Sequence, residues 1–229
     1  YERPQDFYNQ RLGIPKADKE SSLERDELSA AIVTGSVDMG FSNVLGLDLG
    51  TTCHLVVNSV LADQSMVTIH CEKIPLHRVV QRTVELFVRF KCRMMVVDRG
   101  PNTEAVYQIQ QKITNCFAGV FTNSKGVEFF KVVEKENDLS EGVQGIRQVN
   151  ISKDTAMDIL MFMVRNGMIL KVSDDENEDW IEQLMDNKRI RVFKNDEQVF
   201  TWVKTEGNDH YHMAELYALI ASRILGVAT

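Results

Sequence analysis

The sequence predicts a mixed α/β fold, a central sheet with helices on both faces. Three observations carry that prediction. Residues 44–49, 54–61 and 66–74 are short runs rich in β-branched and apolar residues, close enough in sequence to be adjacent antiparallel strands. After them, stretches of helical periodicity alternate with short apolar runs. Two of those runs, VLGLDL and RMMVVD, carry Asp48 and Asp98 near their carboxyl ends, where open α/β sheets place their ligands.

The 229 residues suit one α/β domain, or one domain plus a short appendage. Hydrophobic residues make up 44% and charged residues 26%, an ordinary globular balance. No apolar run approaches the ~20 residues that span a bilayer. The chain opens on Tyr1 and shows no signal-peptide pattern, which points to a cytosolic fragment of something longer. A formal net charge of −7 argues against a general nucleic-acid coat but leaves room for a local basic groove beside an acidic metal site. Cys53, Cys71, Cys92 and Cys116 are widely spaced, form no CxxC pair, and read as buried free thiols.

The elements follow in order. Residues 1–27 are polar and hold two of the four prolines, so they read as a linker that wraps onto the domain, with a short helix after Ser21-Ser22. Residues 1–43 are taken together as an amino-terminal extension and 44–229 as the domain. Residues 76–90 have helical spacing, with Val79, Val80, Val84, Phe87 and Val88 on one face. Arg78, Arg82 and Arg89 fall elsewhere and, with Lys91 and Arg93, read as a solvated face. Residues 93–98 form a short buried strand, ended by Gly100 and Pro101. A helix over 103–116 and a strand over 117–122 come next. Within 127–150, VEFFKVVE and GIRQVNI suggest a hairpin around KENDLSEG. A helix over 153–167 stops at Gly167, and the acidic run at 174–180 opens another, where acids suit the helix dipole. Residues 189–193 and 197–203 form a hairpin. The last helix, 208–226, has Asn208 or Asp209 as its N-cap and Met213, Leu216, Tyr217, Ile220 and Ile224 as its buried stripe.

Three strands followed by alternating helices and strands is the ribonuclease H-like order. Within it, Asp48 on the first strand, Asp98 on the fourth and Asp209 at the last helix converge. Three such carboxylates repel one another without a cation, and hard oxygen ligands suit Mg2+ or Mn2+. Two ions ~3.5–4 Å apart can activate a water and stabilise the leaving oxygen of a phosphodiester. Singly, each acid has a plainer reading: Asp48 as a cap of the Gly-Thr-Thr turn, Asp98 as a partner of Arg99, Asp209 as an N-cap.

The stretch LGLDLGTT also resembles the first phosphate loop of the sugar-kinase, actin and heat-shock ATPase group. That group needs a second glycine-rich loop, for which DRGPN at 98–102 is a poor substitute. No G-x-x-x-x-G-K-S/T loop occurs either. The carboxy-terminal WVKTEGNDHYHMAELYALIA resembles the closing motif of viral and phage terminase large subunits, through Asp209, His210, Ala214, Tyr217 and Ala218. The opening DFYNQRLGIP resembles the segment that joins the terminase ATPase motor to its nuclease. The likeness spans residues 1–226 and is strongest at its two ends.

The resemblance implies a ribonuclease H-like nuclease that cuts concatemeric viral DNA with two divalent metal ions. By position, its triad is Asp48, Asp98 and Asp209. A further acid common within the last helix of such proteins is replaced here by Met213. Glu206, Glu72 and Asp38 are weaker auxiliary candidates. His210 and His212 read as polar residues lining a wet groove, with His210 nearer the triad. Thr51 and Thr52 read as turn caps that could also bond a metal water or a phosphate. Lys188, Arg189, Arg191, Lys194 and Lys204 cluster around the last hairpin, either as phosphate contacts or as a solvated hairpin. Trp180, Trp202 and the Met-rich residues 158–164 read as core. The implied partners are double-stranded viral DNA, the terminase ATPase domain, the small terminase subunit and the portal, in the cytoplasm of an infected bacterium and not at a membrane. Alternatives are a catalytically silent docking module of the packaging motor, an actin-like ATPase fragment, or another ribonuclease H-like enzyme such as a resolvase or transposase.

Overall fold

The computed structural model describes residues 22–35, 42–122, 129–133, 145–194, 197–205 and 207–227. A nine-stranded sheet forms its centre. In chain order the elements are α1 (Arg25–Ala30), β1 (Ile32–Val33), β2 (Ser42–Asp48), β3 (Thr52–Val60) and β4 (Met66–Pro75). A 3-10 turn (Leu76–Arg78) leads into α2 (Val79–Arg89), β5 (Cys92–Asp98), α3 (Thr103–Lys112), β6 (Cys116–Thr122) and β7 (Phe130–Val133). Then come β8 (Gln148–Ser152), α4 (Lys153–Arg165), β9 (Ile169–Val172), α5 (Asn177–Met185), β10 (Asn187–Lys194), β11 (Glu197–Lys204) and α6 (His210–Val227).

The strand order is β1-β9-β4-β3-β2-β5-β6-β8-β7, and β10 with β11 forms a separate two-stranded ribbon. β2, β3 and β4 make the expected antiparallel meander. β5, β6 and β8 then add parallel to β2, and β7 closes that edge antiparallel to β8. The expected hairpin of 127–150 is thus present in its paired ends; its loop lies outside the described residues. Two strands were not expected from sequence. β9 lies parallel to β4, and the two-residue β1 lies parallel to β9 at the far edge.

Alternation along the strands sorts the core into two layers. Leu45, Leu47, Leu55, Val57, Met95 and Val97 face α2 and α3. Val44, Val56, Met94 and Val96 face the other way, into a layer built with α1, α4, α5 and α6. A register shift at Val57/Asn58 in the β3–β4 pairing reverses the alternation along β4. Beyond it Glu72 faces α2, where it pairs with Arg82 and His70, and Lys73 faces α5, where it pairs with Asp179 and Glu176.

Local chemistry sets the helix ends. Glu24 and Glu27 form a capping box at α1. Asn102 accepts the Ala105 amide at 3.0 Å to start α3. α4 stops in a Schellman motif: Gly167, at φ +66, donates to Val164, and Met168 donates to Met163. α6 departs from expectation. It is buried all round, not along one stripe, because it lies between the sheet and the helices α4 and α5. No helix among the described residues is long and apolar enough to cross a membrane.

Candidate active site

Asp48 ends β2, and the parallel register pairs Leu47 with Val97, so Asp98 ends the neighbouring strand beside it. Both side chains fall on the α6 side, since Leu47 and Val97 point to the opposite layer. Asp209 lies immediately before α6, where its carbonyl accepts the Met213 amide at 2.9 Å, so it rather than Asn208 is the cap. α6 can bring Asp209 here because β2 has Gly46 beneath it. A Cβ at Gly46 would stand 2.5 Å from the Ala218 nitrogen and closer still to the Ala214 oxygen. Asp48 is electrostatically coupled to Asp98 on one side and to Asp209 on the other.

Each carboxylate has its own partner. His210 Nδ1 stands 2.7 Å from Asp48 Oδ2. The Tyr217 hydroxyl donates to Asp98 Oδ1 at 3.1 Å. Lys204, at the end of β11, places its ammonium 3.4 Å from Asp209 Oδ1. Burial raises Asp48 above the ordinary carboxylate range and outweighs the opposing effect of His210. Asp98 is pushed up to about 6, first by burial and then by the charge of Asp48. The hydrogen bond to Asp48 raises His210.

Behind His210 lies His54 of β3, which sequence reasoning missed. Its ring stacks on His210 at 4.7 Å and 15°, and meets Tyr211 edge-on at 4.7 Å. It is only 4% exposed, and burial with the nearby charge of His210 lowers it to about 4. A histidine inside an apolar strand, six residues past the first aspartate, was the available signal. Also overlooked is the acid Glu215, fully buried on α6. It accepts Asn58 Nδ2 at 2.7 Å, the Thr68 hydroxyl at 2.7 Å and Trp180 Nε1 at 2.8 Å. It belongs to the core, and the charge of the fully buried Lys171 acts on it.

The remaining candidates separate. His212 does not line a wet groove: it is 1% exposed, packed so that Nδ1 meets the Leu184 carbonyl, and burial lowers it to about 4. The phase of α6 turns it away from His210. Glu72 is bound to Arg82 on the opposite face of the sheet and is not brought to the triad. Arg82 is therefore an ion-pair partner, not merely a solvated charge. Thr51 is exposed in the turn after Asp48, its carbonyl accepts the Leu76 amide at 3.3 Å, and it borders a groove of about 930 Å3 between α2 and α3. Glu206 and Asp38 lie outside the described residues, as does the Lys194 side chain.

The β10–β11 ribbon stands beside the triad. Trp202 anchors it, donating Nε1 to Asp158 at 2.9 Å. Arg189 pairs with Asp158 at 2.9 Å, and the Arg189 and Arg191 guanidiniums each lie 5.2 Å from the half-exposed Phe200 ring. Lys188 is half-buried on the same ribbon.

Asp48 and Asp98 at the carboxyl ends of two central strands, with Asp209 before α6, are carboxylates of the chemistry that suits a hard divalent cation. Among the described residues no group of three or more acids, histidines or cysteines is placed so that it could hold a metal ion.

No protein-family model matches this sequence, and no curated protein matches it. Solved structures do match. The large terminase nuclease from thermophilic phage G20c superposes with a TM-score of 0.52 at 14% identity, over 84% of this chain and 94% of that one. The nuclease domain of the large terminase subunit gp2 of bacterial virus Sf6 gives 0.52 at 12% identity, over 86% and 97%. The large terminase of thermophilic bacteriophage D6E gives 0.51 at 14% identity, over 89% of this chain but 43% of that longer protein. The G20c nuclease has also been solved with bound magnesium and a variant of the Sf6 domain with manganese. The fold is therefore the ribonuclease H-like fold of large terminase nuclease domains.

Proposed function

We propose that this chain is the nuclease domain of a viral terminase large subunit, an endonuclease that cuts concatemeric double-stranded viral DNA during genome packaging. What supports the reading is a fold shared with terminase nucleases, in which Asp48 and Asp98 end neighbouring parallel strands and the charge of Asp209, at the start of α6, is felt by Asp48. Asp48, Asp98 and Asp209 would hold two divalent ions, Mg2+ or Mn2+, which supply an activated water and charge stabilisation at the leaving 3′ oxygen.

The protein's own groups do the rest. The contact of Asp48 with His210 would fix the orientation of its carboxylate. Lys204 keeps Asp209 charge-balanced in the free protein and can turn to a phosphate when DNA and cations arrive. Lys188, Arg189, Arg191 and Lys204 on the ribbon would contact the phosphate backbone, which positions DNA without reading its sequence. Contacts to the backbone alone carry no sequence information, so cutting would show little sequence preference. The partners proposed are the ATPase motor, the small terminase subunit and the portal, with action in the infected bacterial cytoplasm.

The test is plasmid cleavage by the purified chain in Mn2+, Mg2+ or EDTA, beside Asp48→Asn and Asp209→Asn. Metal-dependent cutting lost in both variants supports the reading. Cutting that survives both variants refutes the triad. A wild type that neither cuts nor takes up Mn2+ favours the silent docking module.

A further inference from the structure

We infer that Tyr217 is a positioning residue for Asp98, aiming one carboxylate oxygen at the cation through a contact made possible by Gly119. The inference rests on the metal-dependent reading above and extends it to a residue outside the triad.

Tyr217 is 1% exposed and sits two turns into α6. Its ring lies over Gly119 of β6, where a Cβ would come within 2.7 Å of the ring carbon Cε1. Phe121 covers the ring from one side at 5.9 Å and 25°. Held between helix and sheet, the ring has no room to swing, so its hydroxyl has one place to go. That place is Asp98 Oδ1, at 3.1 Å. The Gly100 amide reaches the same oxygen at 3.3 Å. Oδ1 thus collects both donors and Oδ2 receives neither of them. A carboxylate pinned by one oxygen presents the other in a fixed direction, as outer-shell donors do for metal ligands.

A buried tyrosine could be core alone. Two features argue otherwise. A phenylalanine would fill the same space without bringing a hydroxyl into the low-dielectric layer, where an unbonded hydroxyl is costly. And Gly119 stands at a mid-strand position, where glycine weakens a strand unless something must approach closely. Here the thing that approaches is the tyrosine ring.

The experiment titrates Mn2+ into the whole chain by calorimetry, with wild type, Tyr217→Phe, Gly119→Ala and Tyr211→Phe. Tyr211→Phe deletes a buried hydroxyl from the same helix, one bonded to Glu176 and not to the triad. Tyr217→Phe is expected to weaken Mn2+ binding about 10-fold. The Mn2+ needed for half-maximal cutting rises in parallel, and cutting at saturating Mn2+ recovers. Gly119→Ala keeps the hydroxyl but displaces the ring, and shows the same loss; Tyr211→Phe binds as wild type. Tyr217→Phe with unchanged affinity overturns the inference, as does equal weakening by Tyr211→Phe. If Tyr217→Phe does not fold in EDTA melts, Gly119→Ala decides alone by the same criterion. A wild type that takes up no Mn2+ overturns the metal-dependent reading itself, a separate and recognisable failure.

Discussion

Gly46→Ala is a small change with a large expected effect. The added Cβ would meet the Ala218 nitrogen at 2.5 Å and the Ala214 oxygen closer still. Both are backbone atoms of a buried helix, so neither can rotate away. A comfortable separation is ~3.5 Å, so α6 must lift by more than about 1 Å or β2 must bend. Overpacking of a filled core costs about 1–3 kcal/mol, and the rigidity of both partners puts this site at about 3. For a domain of this size each kcal/mol lowers Tm by ~2–4 °C, so a fall of about 6–12 °C is expected. The same lift moves Asp209 and His210 away from Asp48. Misplacement by ~1 Å in a catalytic cluster can reduce rate about 100-fold. Thermal unfolding in EDTA, followed by cleavage at a temperature where both proteins remain folded, separates the two effects. A Tm within about 2 °C of wild type with full cleavage would show that the helix does not rest on this glycine.

Other predictions are simpler. Asp98 binds its proton up to about 6 in the folded chain, against an ordinary 3.8. The folded state therefore holds more protons than the unfolded one between those values, and stability in EDTA falls as pH rises from about 4 to about 6, by up to ~3 kcal/mol. Asp98→Asn should flatten that slope; an identical slope in wild type and variant counts against it. Glu215→Ala leaves three buried donors unpaired and should cost about 3–5 kcal/mol in chemical denaturation, with Glu215→Gln costing less. If the two cost the same, the network is not what Glu215 contributes. With a net charge of −7 the isolated chain should bind DNA weakly and lose it as salt rises, and Arg191→Ala should reduce the log–log salt slope by about 1. Tight binding at high salt would refute the phosphate-contact account of the ribbon.

Much of the fold was legible because the sequence obeyed simple periodicities where burial was one-sided. The meander of β2 to β4 shows its β-branched runs, and α2 shows its helical period, although its buried line runs through Val79, Thr83 and Leu86 and leaves Val88, expected on the apolar face, 69% exposed. β9 escaped because it is four residues long and includes Lys171, a charged residue that the fold buries completely with Asp174 and Asn177 as partners. β1 has two residues and no pattern to read. α6 kept its position but not its stripe, since a helix enclosed on all sides has no polar face to betray its phase. Asp48 and Asp98 stood out because a carboxylate ending an apolar strand is anomalous, whereas Asp209, an ordinary helix cap, stood out only through the motif around it. His54 and Glu215 were not, because what makes each matter is a partner far away in sequence: His210 for one, Asn58, Thr68 and Trp180 for the other. The bulge at Val57/Asn58, which decides the faces of Glu72 and Lys73, leaves no mark in composition at all.

The contact between Asp48 and His210 closes a loop of 162 residues. During synthesis the chain emerges amino end first, at ~5–20 residues per second. β2 and β5 are therefore available well before α6, yet every such intermediate holds two of the three acids and lacks the helix that completes both the cluster and the core above it. On the proposed reading, a ribosome-bound or prematurely terminated chain would hold Asp48 and Asp98 without Asp209, and the order of synthesis would withhold the cutting centre until the last helix is made.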